Sequence, residues 1–163
     1  MFQQSYFHFS AKAVWLQNGD DEPETILIKC AMAGRFKGVF RQSGVIPVLD
    51  GRLVLITSRK SERWIIPKGY VEKGLSPAES AAKEAYEEAG LIGLVHHKEA
   101  GKYRYRKFGK NFSVQVYPLF IETMLDEWDE MHDRRRKLVT PSEAIEMVCH
   151  EELRRIIADF FSE

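Results

Sequence analysis

The stretch SPAESAAKEAYEEAG, residues 76–90, constrains the fold most, because both ends of a helix are written into it. Ser76 can serve as N-cap, Pro77 suits the first helical position, Glu79 stands three residues after the cap, and Gly90 is a C-terminal stop. On a 3.6-residue helix, Ala78, Ala81, Ala82, Ala85 and Ala89 make one stripe of small side chains that can lie close against a sheet. Glu84, Glu87 and Glu88 fall on a separate face, roughly 120° away. Such a face suits a hard cation that takes oxygen ligands. It is equally what a solvated acidic surface looks like, balanced by Glu79–Lys83 and Lys83–Glu87 pairs at helical spacing. The helix alone does not choose between them.

Around it the pattern is that of a single mixed domain. GVIPVLDGRLVLITSR, residues 44–59, reads as a β-hairpin turning at Asp50-Gly51, with Pro47 pointing to an edge position or a bulge. Trp64-Ile65-Ile66 is a short apolar run before the turn Pro67-Lys68-Gly69. Residues 92–107 and 112–123 read as a second hairpin about Phe108 to Asn111. Thr140-Pro141-Ser142-Glu143 opens a helix, and Glu151 to Phe161 is another. Before about Arg35, NGDDEPE reads as a turn and TILIKCAMA as a short strand or the start of a helix. We divide the chain into an extension, residues 1–36, and a domain, residues 37–163.

Across its 163 residues, 24 basic side chains balance 24 acidic ones, so no global positive field marks a nucleic-acid binder. The apolar runs fall short of the ~18–20 residues a membrane span needs, and the N-terminus lacks a signal-peptide pattern. Cys30 and Cys149 follow no metal or redox spacing, which fits a reducing cytoplasm. We therefore expect a cytoplasmic protein, with no nucleic-acid or membrane partner and an oligomeric state left open.

Residues 69–91, GYVEKGLSPAESAAKEAYEEAGL, resemble the Nudix signature over its full length. Gly69, Glu84, Glu87, Glu88, Gly90 and Leu91 match, with Ala85 as a small apolar stand-in. Leu75 stands where the signature has its first glutamate and Lys83 where it has arginine, so neither charge of that pair is left without the other. The lead-in ITSRKSERWIIPKGYVEKG resembles the diphosphoinositol polyphosphate phosphohydrolase branch and its small bacterial relatives.

The resemblance implies an α+β fold, an α/β/α sandwich with a mixed sheet between helices. It also implies a hydrolase of acid anhydrides, a pyrophosphatase in which Mg2+, or Mn2+ in its place, is held by the Gly69 carbonyl and by Glu84, Glu87 and Glu88. These glutamates are also the catalytic candidates. The general base is Glu84 or a later glutamate, Glu127 or Glu130. The substrate implied is a small nucleoside-, dinucleoside- or inositol-linked polyphosphate. Arg41, Arg59, Arg63, Lys68, Arg104 and Arg106 are the candidate substrate-binding cations, and Tyr70, Tyr103 and Tyr105 candidates for base stacking. The alternative is a weakly active or inactive module that binds a phosphorylated ligand.

Overall fold

A computed structural model describes residues 38–162; the readings made above for the extension and Cys30 lie outside the described residues. The described chain runs β1 (Val39–Leu49), β2 (Arg52–Thr57), β3 (Trp64–Ile65), β4 (Lys68–Tyr70), α1 (Pro77–Ala89), β5 (Leu91–Val95), β6 (Gly101–Lys107), β7 (Lys110–Met124), β8 (Arg136–Val139), α2 (Pro141–Met147) and α3 (Glu151–Ser162). These strands form one sheet in the order β3-β2-β1-β7-β5, with β4 also on β1, β6 on β7 and β8 on β2. The pairing of β1 with β7 is parallel and the others are antiparallel, so the sheet is mixed.

Alternation along the strands feeds two cores. Val45, Val54, Ile56 and Leu119 point to one face, where Ala81, Ala85 and Ala89 of α1 are fully buried. Ile46, Leu53, Leu55 and Val116 point to the other, against Ala144 of α2 and Leu153 and Ile157 of α3. A sheet between helices is the expected α/β/α sandwich, and the alanine stripe lets α1 lie close to it.

The helix signals hold in detail. Ser76 and Thr140 both close capping boxes, with Glu79 and Glu143 returning to the cap N–H groups, and Gly90 adopts a left-handed φ of 62°. Asp50 and Gly51 both have positive φ, as a two-residue hairpin turn requires. Phe108 and Gly109 do the same between β6 and β7, so that turn is two residues long rather than four.

Two expectations are corrected. Residues 92–107 form two strands: β5 pairs with the far half of β7 and β6 with its near half. Pro47 is not at an edge; it lies in central β1 opposite Leu119 of β7. The β1–β2 ladder is registered only at Val48 and Leu49, so the missing N–H coincides with the end of a ladder. Arg136–Val139, not marked as a strand in the sequence, form β8, paired with β2.

Candidate functional site

The three helix glutamates meet three different environments. Glu88 is 5% exposed and its Oε2 accepts the backbone N–H of Lys68 at 2.8 Å, which ties α1 to β4. Burial pushes its carboxyl up to about 7, against the opposing pull of Arg134, the Lys68 N–H and the Lys68 ammonium. Glu84 is half-buried against the Cα of Gly69, where a Cβ would overlap its carboxylate. Burial and then the charge of Glu87 raise the Glu84 carboxyl, with Glu130 adding to the effect. Gly69 is therefore needed for space: only a residue without a side chain brings β4 backbone against Glu84.

Glu87 lies outermost and accepts from Lys83 Nζ at 2.6 Å. The same ammonium is 2.9 Å from Glu72 Oε1, and the two carboxylates hold it well above the usual lysine range. Lys83 is thus not left without a partner by the leucine at position 75. Lys83 keeps a loop carboxylate as partner, supplied by Glu72 three residues before Leu75. Glu79 does not pair with Lys83, because its Oε2 accepts the Ser76 N–H at 2.7 Å.

Arg134, in the segment between β7 and β8, belongs to none of the sequence motifs above, yet its side chain is 8% exposed within this cluster. Nη1 donates to Thr57 O of β2 at 2.9 Å, Nε to Glu130 Oε2 at 2.5 Å, and Nη2 to Glu88 Oε1. Arg59 donates to both oxygens of Glu130. The Glu130 N–H also reaches Glu87 O at 3.3 Å, so Glu130 belongs to the site, whereas Glu127 is exposed. Among the described residues, no three His, Cys, Asp or Glu side chains gather as a ready-made metal cage. The carboxylates share a face, but Glu87 is engaged by Lys83, Glu130 by Arg134 and Arg59, and Glu88 by Arg134 and the Lys68 N–H.

Two clefts adjoin this cluster through Lys68. One, of about 410 Å³, includes Arg63, Arg106, Lys107, Phe108 and His150 in its wall; the other, of about 320 Å³, includes Tyr70, Lys110 and Phe112, and Tyr105 lines both. Burial lowers the Lys68 ammonium below its ordinary pKa. Of the predicted cations, Arg63, Lys68 and Arg106 line the first cleft, and Arg59 is engaged with Glu130. Arg41 and Arg104 line neither, and the Arg104 N–H instead binds Glu152 of α3 at 2.7 Å. Tyr103 is 1% exposed and unable to stack on a ligand; Tyr105 stacks on Phe112 at 4.8 Å and Tyr70 is exposed.

The NUDIX domain matches residues 40–160, most of the chain. The chain belongs to the NUDIX family. Among curated relatives, Nudix hydrolase 12, mitochondrial, of Arabidopsis thaliana is 27% identical over 128 residues, covering 72% of this chain and 62% of that protein. Diphosphoinositol polyphosphate phosphohydrolase 3-alpha of Homo sapiens is 30% identical over 112 residues, covering 63% of each. The chain spans 62%, 52% and 56% of the length of three Arabidopsis Nudix hydrolases it matches. The fold is shared with a C. elegans Ap4A hydrolase binary complex, at TM-score 0.63 and 22% identity over 76% of this chain and 96% of that one. It is shared too with a NUDIX hydrolase from Nitrosomonas europaea, at TM-score 0.65 and 15% identity over 77% and 90%. Within this NUDIX domain, residues 69–91 run from within β4 through the following loop and α1 to the first residue of β5, so the signature resemblance coincides with the carboxylate cluster.

Proposed function

We propose that this chain is a Mg2+-dependent hydrolase that breaks a phosphoanhydride bond in a small nucleoside-, dinucleoside- or inositol-linked polyphosphate, by attack of water at phosphorus. The observation that carries the reading is the packing of Glu84 on Gly69 beside Glu87 and Glu88, with the adjacent Lys68 lining a basic cleft that also holds Tyr105 and Phe108. The donors are all oxygens, and Glu84 is crowded by like charge, which a cation would relieve. Mg2+ commonly uses one or two carboxylates and completes its shell with water and substrate phosphates, so a closed protein cage is unnecessary. Glu84, Glu87, Glu88 and the Gly69 carbonyl are the residues that would hold it; Mn2+ suits the same donors. When bound, the metal would acidify water and neutralise phosphate charge.

The chain's own groups then divide the remaining work. Among the described residues no guanidinium pairs with the Glu84 carboxylate, and we assign it the proton of the attacking water. Glu130 is held by two guanidinium groups, which stabilise its charged form, so we assign it to shaping the site. Lys68, Arg63 and Arg106 face the first cleft and would receive phosphate oxygens; Tyr105 and Phe108 offer rings beside them. Similarity to proteins named for diphosphoinositol polyphosphate and Ap4A substrates supports a highly phosphorylated small molecule. We further propose that residues 1–36 are an extension to the domain of residues 37–163, supported by the family match beginning at residue 40, and that the protein is cytoplasmic. No helix among the described residues is long and apolar enough to cross a membrane.

Purified protein with Mg2+, presented with diadenosine polyphosphates, diphosphoinositol polyphosphates, ADP-ribose and nucleoside triphosphates, tests the proposal. Metal-dependent release of product from one of these is the expected result. Tight binding without turnover would instead establish the phosphorylated-ligand module.

A further inference from the structure

We propose that Arg134 is a positioning residue that fixes Glu130 relative to Glu88 and so sets the shape of the divalent-cation site. This rests on the metal reading given above. Arg134 does not touch the cluster as a loose counter-ion. One N–H is anchored on the backbone carbonyl of Thr57 in the sheet. The remaining donors reach two carboxylates from separate elements, Glu88 on α1 and Glu130 on the β7–β8 segment. With side-chain exposures of 8%, 7% and 17% for Arg134, Glu88 and Glu130, the three groups are largely shielded from water. A planar guanidinium with fixed donor directions can hold two carboxylates at a set separation and angle, and an ammonium cannot. Arg59, donating from Nε to Oε2 of Glu130 at 3.2 Å and from Nη2 to Oε1, closes the arrangement from outside. The segment carrying Glu130 is also tied to the end of α1 by Leu125 N–H on Gly90 O at 2.8 Å and by Trp128 beside Gly90, and one turn further in by Glu130 N–H on Glu87 O at 3.3 Å. Arg134 is the side chain of that segment that reaches a carboxylate of the helix, Glu88.

The test uses the full chain, with Mn2+ as probe in calorimetric titration of the parent, Arg134→Lys, Glu130→Ala and the double variant. Lysine keeps the charge and removes the fork. Loss of a side chain that orients metal ligands weakens metal binding by roughly 10–100-fold. Arg134→Lys is expected to fall in that range, and the double variant to lose far less than the product of the two single losses. Unchanged or tighter Mn2+ binding in Arg134→Lys overturns the proposal, and so do independent, multiplicative effects. Amide hydrogen exchange without metal gives a second reading. Exchange across residues 125–135 should rise in Arg134→Lys while that of α1 stays as in the parent. If Arg134→Lys does not melt cooperatively, Glu130→Ala tests the same clamp from its less buried half by the same exchange. A parent that binds no Mn2+ would remove the metal site of the proposed function. The exchange result would then decide alone: a rise confined to residues 125–135 keeps Arg134 as the clamp, and no rise refutes it.

Discussion

At the scale of single residues, the site depends on Gly69 having no side chain and on Glu88 being buried. Gly69→Ala would drive the Glu84 carboxylate from its place, and a displacement near 1 Å can cost roughly 100-fold in rate. We expect a kcat loss of that order in a steady-state assay, with the melting temperature far less affected. Glu88 makes a separate prediction for metal-free protein in EDTA. Its folded pKa, about 7, lies above the ordinary 4.5, so the folded state holds the proton more tightly. The stability this contributes is fully present below about 4.5 and is lost as pH rises through 7. Relative to Glu88→Gln, the parent should lose up to roughly 1.4 kcal/mol per pH unit across that window in urea titrations. Equal pH profiles would refute the burial argument. The sequence showed which glutamates share a face, because helical spacing is local. It did not show that Arg134 and Glu72 complete their surroundings, because those contacts join segments distant along the chain.

At the scale of elements, α1 and α2 were legible almost to the residue, since capping boxes and helix-opening prolines act within a few positions. Ser76→Ala should cost about 1 kcal/mol in denaturant unfolding, by leaving the Glu79 N–H without its cap. Gly90→Ala should cost more. Its left-handed φ alone penalises a side chain by roughly 1–2 kcal/mol, and the new Cβ would lie 2.8 Å from that of Trp128. Trp128 in turn stacks under the Arg136 guanidinium, at 4.3 Å from the ring, so the end of α1 and the segment after β7 are packed together. Strands were less legible. β5 and β6 read as one run because alternation identifies an extended chain and not the partner it pairs with. β8 was hidden by its charge, since half its residues, Arg136 and Lys137, gave no apolar signal.

At the scale of the molecule, a balanced net charge conceals an uneven surface: Arg63, Lys68, Arg106 and Lys107 are collected at one cleft. Substrate binding should therefore weaken with added salt, with KM rising several-fold between low and physiological ionic strength. Arg63→Gln and Arg106→Gln should raise KM, while Arg41→Gln and Arg104→Gln should leave it within about twofold of the parent, as neither side chain lines the clefts. Equal effects from all four would mean that charge alone, and not placement, governs binding. Sequence supplied the cations but not this sorting, which depends on the sheet order. That order turns on the parallel pairing of β1 with β7, in which Val39 lies opposite Asn111 and Val48 opposite Phe120. Pairings so remote along the chain make folding slow and impose a timetable on a growing polypeptide. On the ribosome, α1 emerges well before β7, which supplies part of the surface that buries its alanines. Arg134 emerges later still. Throughout that interval the acidic helix has neither its full apolar bed nor its guanidinium partner, making the nascent chain vulnerable to proteolysis and aggregation until the final third has been synthesised.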